Sequence, residues 1–170
     1  MRWRKLNEEV VYESFRRILS RRFELPDGNT AELEVIDLAD SVVVLPLTAE
    51  DDVVLARQFR PGPEEVLLEL PGGVVDPGHT PAEAARAELL EETGYVGDLV
   101  EVGSLRPNAY ATKTKYVFAA TGCRRVGEPA ADEQVEVVLL SLPEFREHLR
   151  TGLLTDTDGA YRALDHLNLL

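Results

Sequence analysis

Apolar and polar residues alternate imperfectly through residues 14–25 and again through 30–38, with Phe, Ile, Leu and Val recurring near the two-residue period of a strand. Between them stands Pro26-Asp27-Gly28-Asn29, whose backbone preferences favour a turn, so the stretch predicts a β-hairpin. Short β-branched runs follow at Val42–Pro46 and Val53–Gln58, on either side of the acidic Glu50-Asp51-Asp52, and at Val66–Leu70, which stops at Pro71-Gly72-Gly73. These read as successive strands of a mixed sheet, with further strands predicted at Leu99–Ser104, Lys115–Thr121 and Val135–Leu140.

The best signalled helix begins at Thr80-Pro81-Ala82-Glu83, which offers an N-cap, a proline at the first helical position and a capping-box glutamate; Gly94 stops it. Ser141-Leu142-Pro143-Glu144 repeats that logic before Phe145–Arg150, closed by Gly152, and an amphipathic helix is predicted over Gly159–Leu167. Arg106–Thr114 has neither period and contains Pro, Asn, Thr and Lys, which makes it a candidate binding loop. The order of elements predicts an α/β fold, a sandwich with helices on both sides of a mixed sheet.

Composition narrows the function. A 44% hydrophobic content over 170 residues is enough to fill one core. The formal charge of -13 argues against nucleic acid as a partner, because that binding runs on Lys and Arg displacing counterions. An acidic protein that handles phosphates therefore needs a metal or a local basic pocket. Cys123 is the single cysteine, so no intrachain disulfide forms and the composition suits a reducing cytoplasm. The basic N-terminal residues are not followed by an apolar run, and no segment approaches the roughly 18 apolar residues of a membrane span.

The chemistry concentrates between Gly73 and Tyr95, where a glycine-rich loop feeds a helix ending in Glu88, Glu91 and Glu92. At i, i+3 and i+4 these carboxylates share a helix face, and they crowd the last turn, where the macrodipole disfavours negative charge. A bound cation reverses both penalties. Hard oxygen ligands of this kind suit Mg²⁺, with Mn²⁺ as an alternative, and the glycine-rich turn lets a backbone carbonyl approach as a further ligand.

This segment resembles the Nudix box, G-x5-E-x7-R-E-U-x-E-E-x-G-U with U a bulky apolar residue. Gly73, Glu88, Leu89, Glu91, Glu92, Gly94 and Tyr95 match in register, while His79 stands at the first glutamate and Ala87 at the arginine. The resemblance implies a Nudix-type α/β/α sandwich. It also implies metal ligation by Glu88, Glu92 and the Gly72 carbonyl, with Glu91 as a third ligand or a support for them. In the family the charges missing at positions 79 and 87 brace the loop against the helix, so their joint loss reads as a change in that brace.

Arg57-Gln58-Phe59-Arg60-Pro61-Gly62 and Glu69-Leu70-Pro71-Gly72-Gly73 are similar to stretches of ADP-ribose pyrophosphatases and related nucleotide-sugar hydrolases. That likeness implies hydrolysis of the pyrophosphate of a nucleoside diphosphate derivative, with ADP-ribose giving AMP and ribose 5-phosphate. Arg57 and Arg60 lie three apart near a strand end, so one of them should face the site, either forking onto phosphate or pairing with Glu69. Pro107 and Asn108 stand where relatives carry a substrate loop, and Glu133 where several carry a mobile catalytic glutamate. Glu91 and Glu92 are assigned with Glu133 to the catalytic set.

The same relatives exchange a strand-rich extension between two subunits. Residues 1–40 are accordingly expected to form an extension that can mediate a homodimer, with Phe15 or Tyr12 as a face for the base, and 41–170 the hydrolase domain. Two alternatives stay open: another nucleoside diphosphate sugar or dinucleotide as substrate, and a nucleotide-binding module weakened in catalysis by His79 and Ala87.

Overall fold

The computed structural model describes residues 2–131 and 133–170. In chain order the elements are β1 (Arg4–Glu13), β2 (Arg17–Glu24), β3 (Thr30–Asp37), β4 (Ser41–Thr48), β5 (Asp52–Arg60), β6 (Glu65–Glu69), α1 (Pro81–Thr93), β7 (Tyr95–Leu105), β8 (Lys115–Arg125), β9 (Glu136–Ser141), α2 (Leu142–Thr151) and α3 (Thr157–His166). They fall into two compact units. One holds the residues up to Asp40 together with Arg106–Thr114; the other holds Ser41–Leu105 and Lys115–Leu170.

In the first unit β2 and β3 form the expected hairpin, in register from Arg17↔Asp37 to Glu24↔Thr30. Its turn is closed by Asp27, whose Oδ1 accepts from Asn29 N at 3.0 Å, and by Gly28 at φ 84°, a conformation glycine adopts without strain. The predicted hairpin is, however, a three-stranded antiparallel sheet, because β1 pairs along β2. All ten residues of β1 are exposed, so no buried face writes an alternation into its sequence. The Arg106–Thr114 loop runs beside β3: Ile36 N donates to the Tyr110 carbonyl at 2.8 Å, Thr112 N to the Ile36 carbonyl at 3.0 Å, and Leu38 N to Thr112 Oγ1 at 2.9 Å.

The second unit is built on a mixed sheet. β4 runs parallel to β8, β7 is antiparallel to β8, and β5 pairs antiparallel with both β6 and β9; β4 meets β5 at Leu47↔Val53. β4 is buried along its whole length, which explains its unbroken apolar run. Its residues alternate between two cores. Val43, Leu45 and Leu47 pack with Val53, Leu55 and Val117 against Phe145 and Leu149 of α2 and Ala160, Ala163 and Leu164 of α3. Val42 and Val44 pack with Val54, Phe118 and Ala120 against Ala84, Ala85 and Leu89 of α1. Helices therefore cover both faces, as expected for the α/β/α sandwich.

Helix α1 carries the whole set of signals read from its sequence. Thr80 Oγ1 accepts from Glu83 N at 3.2 Å, Glu83 Oε2 accepts from Thr80 N at 2.8 Å, Pro81 opens the first turn and Gly94 closes the helix at φ 73°. Cys123 is buried, and burial pushes its thiol up to about 11, so it packs as an inert apolar group. Among the described residues no helix is long and apolar enough to cross a membrane.

Candidate active site

After β6 the chain runs beside β4 through Pro71-Gly72-Gly73. Val44 N donates to the Pro71 carbonyl at 2.9 Å and Val42 N to the Gly73 carbonyl at 2.8 Å. Those bonds occupy the carbonyls on either side of Gly72, while no hydrogen bond from the described residues reaches the Gly72 carbonyl itself. A side chain at Gly72 would collide with sheet backbone, and one at Gly73 would have to displace the Glu88 carboxyl. A Cβ at Gly72 would stand 2.4 Å from the Val42 carbonyl oxygen, and one at Gly73 would stand 2.0 Å from Glu88 Oε1. The glycines thus admit two close approaches, sheet backbone on one side and the Glu88 carboxyl on the other.

The three glutamates of α1 are not equivalent. The buried face of the helix consists of Ala84, Ala85, Leu89, Glu92 and Thr93, so Glu92 enters the core side at 6% exposure. Its Oε2 accepts from Gly72 N at 2.9 Å, which fixes the carboxyl against the loop. Glu88 is half-buried and Glu91 is exposed. Burial, followed by the charges of Glu91, Glu133 and Asp76, pushes the Glu88 carboxyl up to about 7. Glu92 is also pushed up to about 7, by burial first; Glu88 and Glu133 add to this, and the Gly72 N–H and Arg60 oppose it.

Glu133 is thereby within electrostatic reach of both carboxyls. Val126 N and Gly127 N donate to the Gly94 carbonyl at 2.8 and 3.2 Å, Ala130 N donates to the Glu91 carbonyl at 2.7 Å, and Glu133 N donates to the Ala130 carbonyl at 3.0 Å. These bonds satisfy carbonyls left open at the end of α1 and tie the loop before β9 to the helix that carries the glutamates. Gly94 is required here as well as for its φ, since a Cβ would lie 2.3 Å from the Gly127 carbonyl oxygen.

Arg57 and Arg60 part company along β5, as their spacing requires. Arg57 Nη1 pairs with Glu136 of β9 at 3.0 Å on an exposed surface. Arg60 Nε donates to Glu69 Oε2, and Thr155 Oγ1 donates to Glu69 Oε1; Glu69 is 1% exposed. Of the two options read from the sequence, pairing with Glu69 is the one that the structure displays for Arg60. Pro107 and Asn108 lie in the first unit, where Asn108 Oδ1 accepts from Tyr110 N at 2.7 Å.

His79 and Ala87 line one recess of about 190 Å³, together with Asp76, Glu83, Glu88 and Glu91. Acidic groups dominate its wall, and no Lys or Arg side chain lines it. Asp76 and Thr155 were not singled out from the sequence. Asp76 belongs to a loop without a periodic signal, and Thr155 is joined to Glu69 only by the fold.

The donor set fits a hard dication: two carboxyls kept close to a glycine loop, an exposed third, and a carbonyl that accepts no hydrogen bond from the described residues. As the side chains stand, no group of three His, Cys, Asp or Glu among the described residues converges into a ready-made metal site. Magnesium usually takes only one or two protein carboxylates and completes its shell with water and phosphate oxygens.

The family model described as NUDIX domain matches residues 37–163. The ADP-ribose pyrophosphatase of Bacillus subtilis (strain 168) is 30% identical over 151 residues, covering 86% of this chain and 81% of that protein. The methanol dehydrogenase activator of Bacillus methanolicus is 28% identical over 139 residues, covering 79% of this chain and 75% of that protein. A solved structure described as an ADP compounds hydrolase matches with a TM-score of 0.81 at 21% identity, covering 100% of this chain and 98% of that one, which establishes the fold. A box that retains its glycines and the three helix glutamates Glu88, Glu91 and Glu92, the α/β/α sandwich around it and a domain match over most of the chain lead to one conclusion: the chain belongs to the Nudix family and is a Nudix hydrolase.

Proposed function

We propose that the protein hydrolyses the pyrophosphate of a nucleoside diphosphate derivative in a Mg²⁺-dependent reaction, with Mn²⁺ able to substitute, and that ADP-ribose is converted to AMP and ribose 5-phosphate. The observation that carries this reading is the buried Glu92 carboxyl bonded to Gly72 N beside a Gly72 carbonyl that accepts no hydrogen bond from the described residues. The likeness to an ADP-ribose pyrophosphatase over 86% of the chain supports the substrate.

Glu88, Glu92 and the Gly72 carbonyl hold the metal, with Glu91 as the exposed outer ligand. A divalent ion held by these residues would supply charge to offset the phosphate oxygens and to lower the pKa of a bound water. Glu133, whose charge is felt at both Glu88 and Glu92, accepts the proton of the attacking water. Arg60 keeps its terminal nitrogens for a phosphate, because only its Nε is engaged by Glu69. Arg57 contributes charge at the rim of the same strand.

The reading is tested by Glu92→Gln, which keeps the bond from Gly72 N but removes the ligating charge. Hydrolysis of ADP-ribose should fall by at least about 10²-fold with the fold intact. An unchanged rate removes Glu92 from the metal site. The recess at His79 and Ala87 favours a second reading, a nucleotide-binding module with weakened catalysis. Tight binding of ADP-ribose with no AMP formed in Mg²⁺ or Mn²⁺ would establish it.

The N-terminal unit supports a homodimer as the working form. β1 is an edge strand, and Val10, Val11 and Tyr12 on it and Phe15 after it are exposed, Phe15 at 95%. A second copy of this chain is the partner we assign to that surface. The buried single cysteine accords with a cytoplasmic location.

A further inference from the structure

We propose that Thr155 is a positioning residue for Arg60, acting through Glu69; this rests on the reading of Arg60 as a phosphate holder. Glu69 ends β6 and is almost wholly enclosed, at 1% exposure. A carboxylate so placed is tolerated only when its oxygens are used. Each is used once, Oε2 by Arg60 Nε and Oε1 by Thr155 Oγ1. Among the described residues no other hydrogen bond to this carboxyl is present.

The two partners differ in what they hold. Arg60 stands at the end of β5 with its side chain 39% exposed, so its guanidinium reaches from the enclosed Glu69 carboxyl towards solvent. Its Nη1 and Nη2 make no hydrogen bond to the described residues. Thr155 comes from the turn between α2 and α3, which is anchored beside it: Leu154 is 3% exposed in the core, and its carbonyl accepts from Thr157 Oγ1. A hydroxyl on a fixed turn therefore sets the rotation of a buried carboxyl. That carboxyl in turn sets the plane of a guanidinium whose outer edge is free. The helix turn of the C-terminal segment is in this way coupled to the aim of Arg60, without touching substrate itself.

Removing the hydroxyl while keeping the side-chain volume, Thr155→Val, should raise KM for ADP-ribose about tenfold and change kcat by less than about twofold, since a hydrogen bond to a charged group is lost outside the reacting centre. Thr155→Ser should restore the wild-type KM, which a merely structural methyl contact would not do. In an Arg60→Ala background, Thr155→Val should have no further effect on KM. Thermal melting of each variant by circular dichroism separates these effects from loss of the fold.

If Arg60→Ala raises KM while Thr155→Val leaves it unchanged, or if the two effects simply multiply, the coupling through Glu69 is refuted and the role of Arg60 survives. If Arg60→Ala leaves KM unchanged, the phosphate role of Arg60 fails and the positioning role of Thr155 fails with it.

Discussion

Glu92 is the residue on which the site turns, because it combines a buried carboxyl, a bond from Gly72 N and the company of Glu88 and Glu133. Its raised proton affinity has a consequence for stability. Near pH 4.5 and below, folded and unfolded chains both hold the protons of Glu88 and Glu92. Between that pH and about 7 the folded chain keeps protons that the unfolded chain has released, so stability should fall as pH rises through this window. The groups responsible face these carboxyls from α1, the glycine loop, the loop before β9 and β5: Glu91, Asp76, Glu133 and, with the opposite sign, Arg60. Thermal melts in chelator should therefore show a lower Tm at pH 8 than at pH 5.5, and saturating Mg²⁺ should raise Tm more at pH 8. An equal response to Mg²⁺ at both pH values would contradict ligation by Glu88 and Glu92. At this scale the helix glutamates were legible because their spacing is local. Asp76 and Thr155 were not, since their partners are brought to them only by folding.

Helix α1 and its loop show which element signals survive into structure. Capping and termination depend on neighbours a few residues apart, so Thr80, Pro81, Glu83 and Gly94 revealed the helix almost to its ends. Strand β1 gave no such signal because every one of its residues is exposed. The altered brace can be tested on the same helix. Ala87 faces a recess of about 190 Å³ walled by Asp76, Glu83, Glu88 and Glu91, and an arginine introduced there would meet carboxylates on several sides. Ala87→Arg should raise Tm by about 2–4 °C in chelator, corresponding to roughly 1 kcal/mol in a chain of this size; a fall in Tm would mean that the recess cannot admit the side chain. Gly73→Ala is the opposite case. Its Cβ would displace the Glu88 carboxyl, so Mg²⁺ affinity should drop while the far-ultraviolet circular dichroism spectrum is kept. Unchanged affinity would separate Glu88 from the metal.

For the molecule as a whole, the alternation of β4 between two cores made the layered sheet readable, whereas the grouping of Arg106–Thr114 with the N-terminal strands was not. That loop is joined to the end of β3 and the residue after it by bonds such as Leu38 N to Thr112 Oγ1, across a sequence separation of 74 residues that no periodicity records. The exposed apolar side chains on and after β1 bear on assembly. Val11→Glu with Phe15→Glu should convert a dimer into a monomer in sedimentation velocity, whereas a wild-type chain that already sediments as a monomer would exclude this surface as a self-interface. The most direct test of the central claim is a hydrolysis panel over nucleoside diphosphate sugars and dinucleotides, with products identified by mass, run in Mg²⁺, in Mn²⁺ and in chelator. The expected result is AMP and ribose 5-phosphate from ADP-ribose, formed only with the metal and lost in Glu92→Gln. Product formed equally in chelator, or no phosphoanhydride cleaved in any compound, would contradict the account.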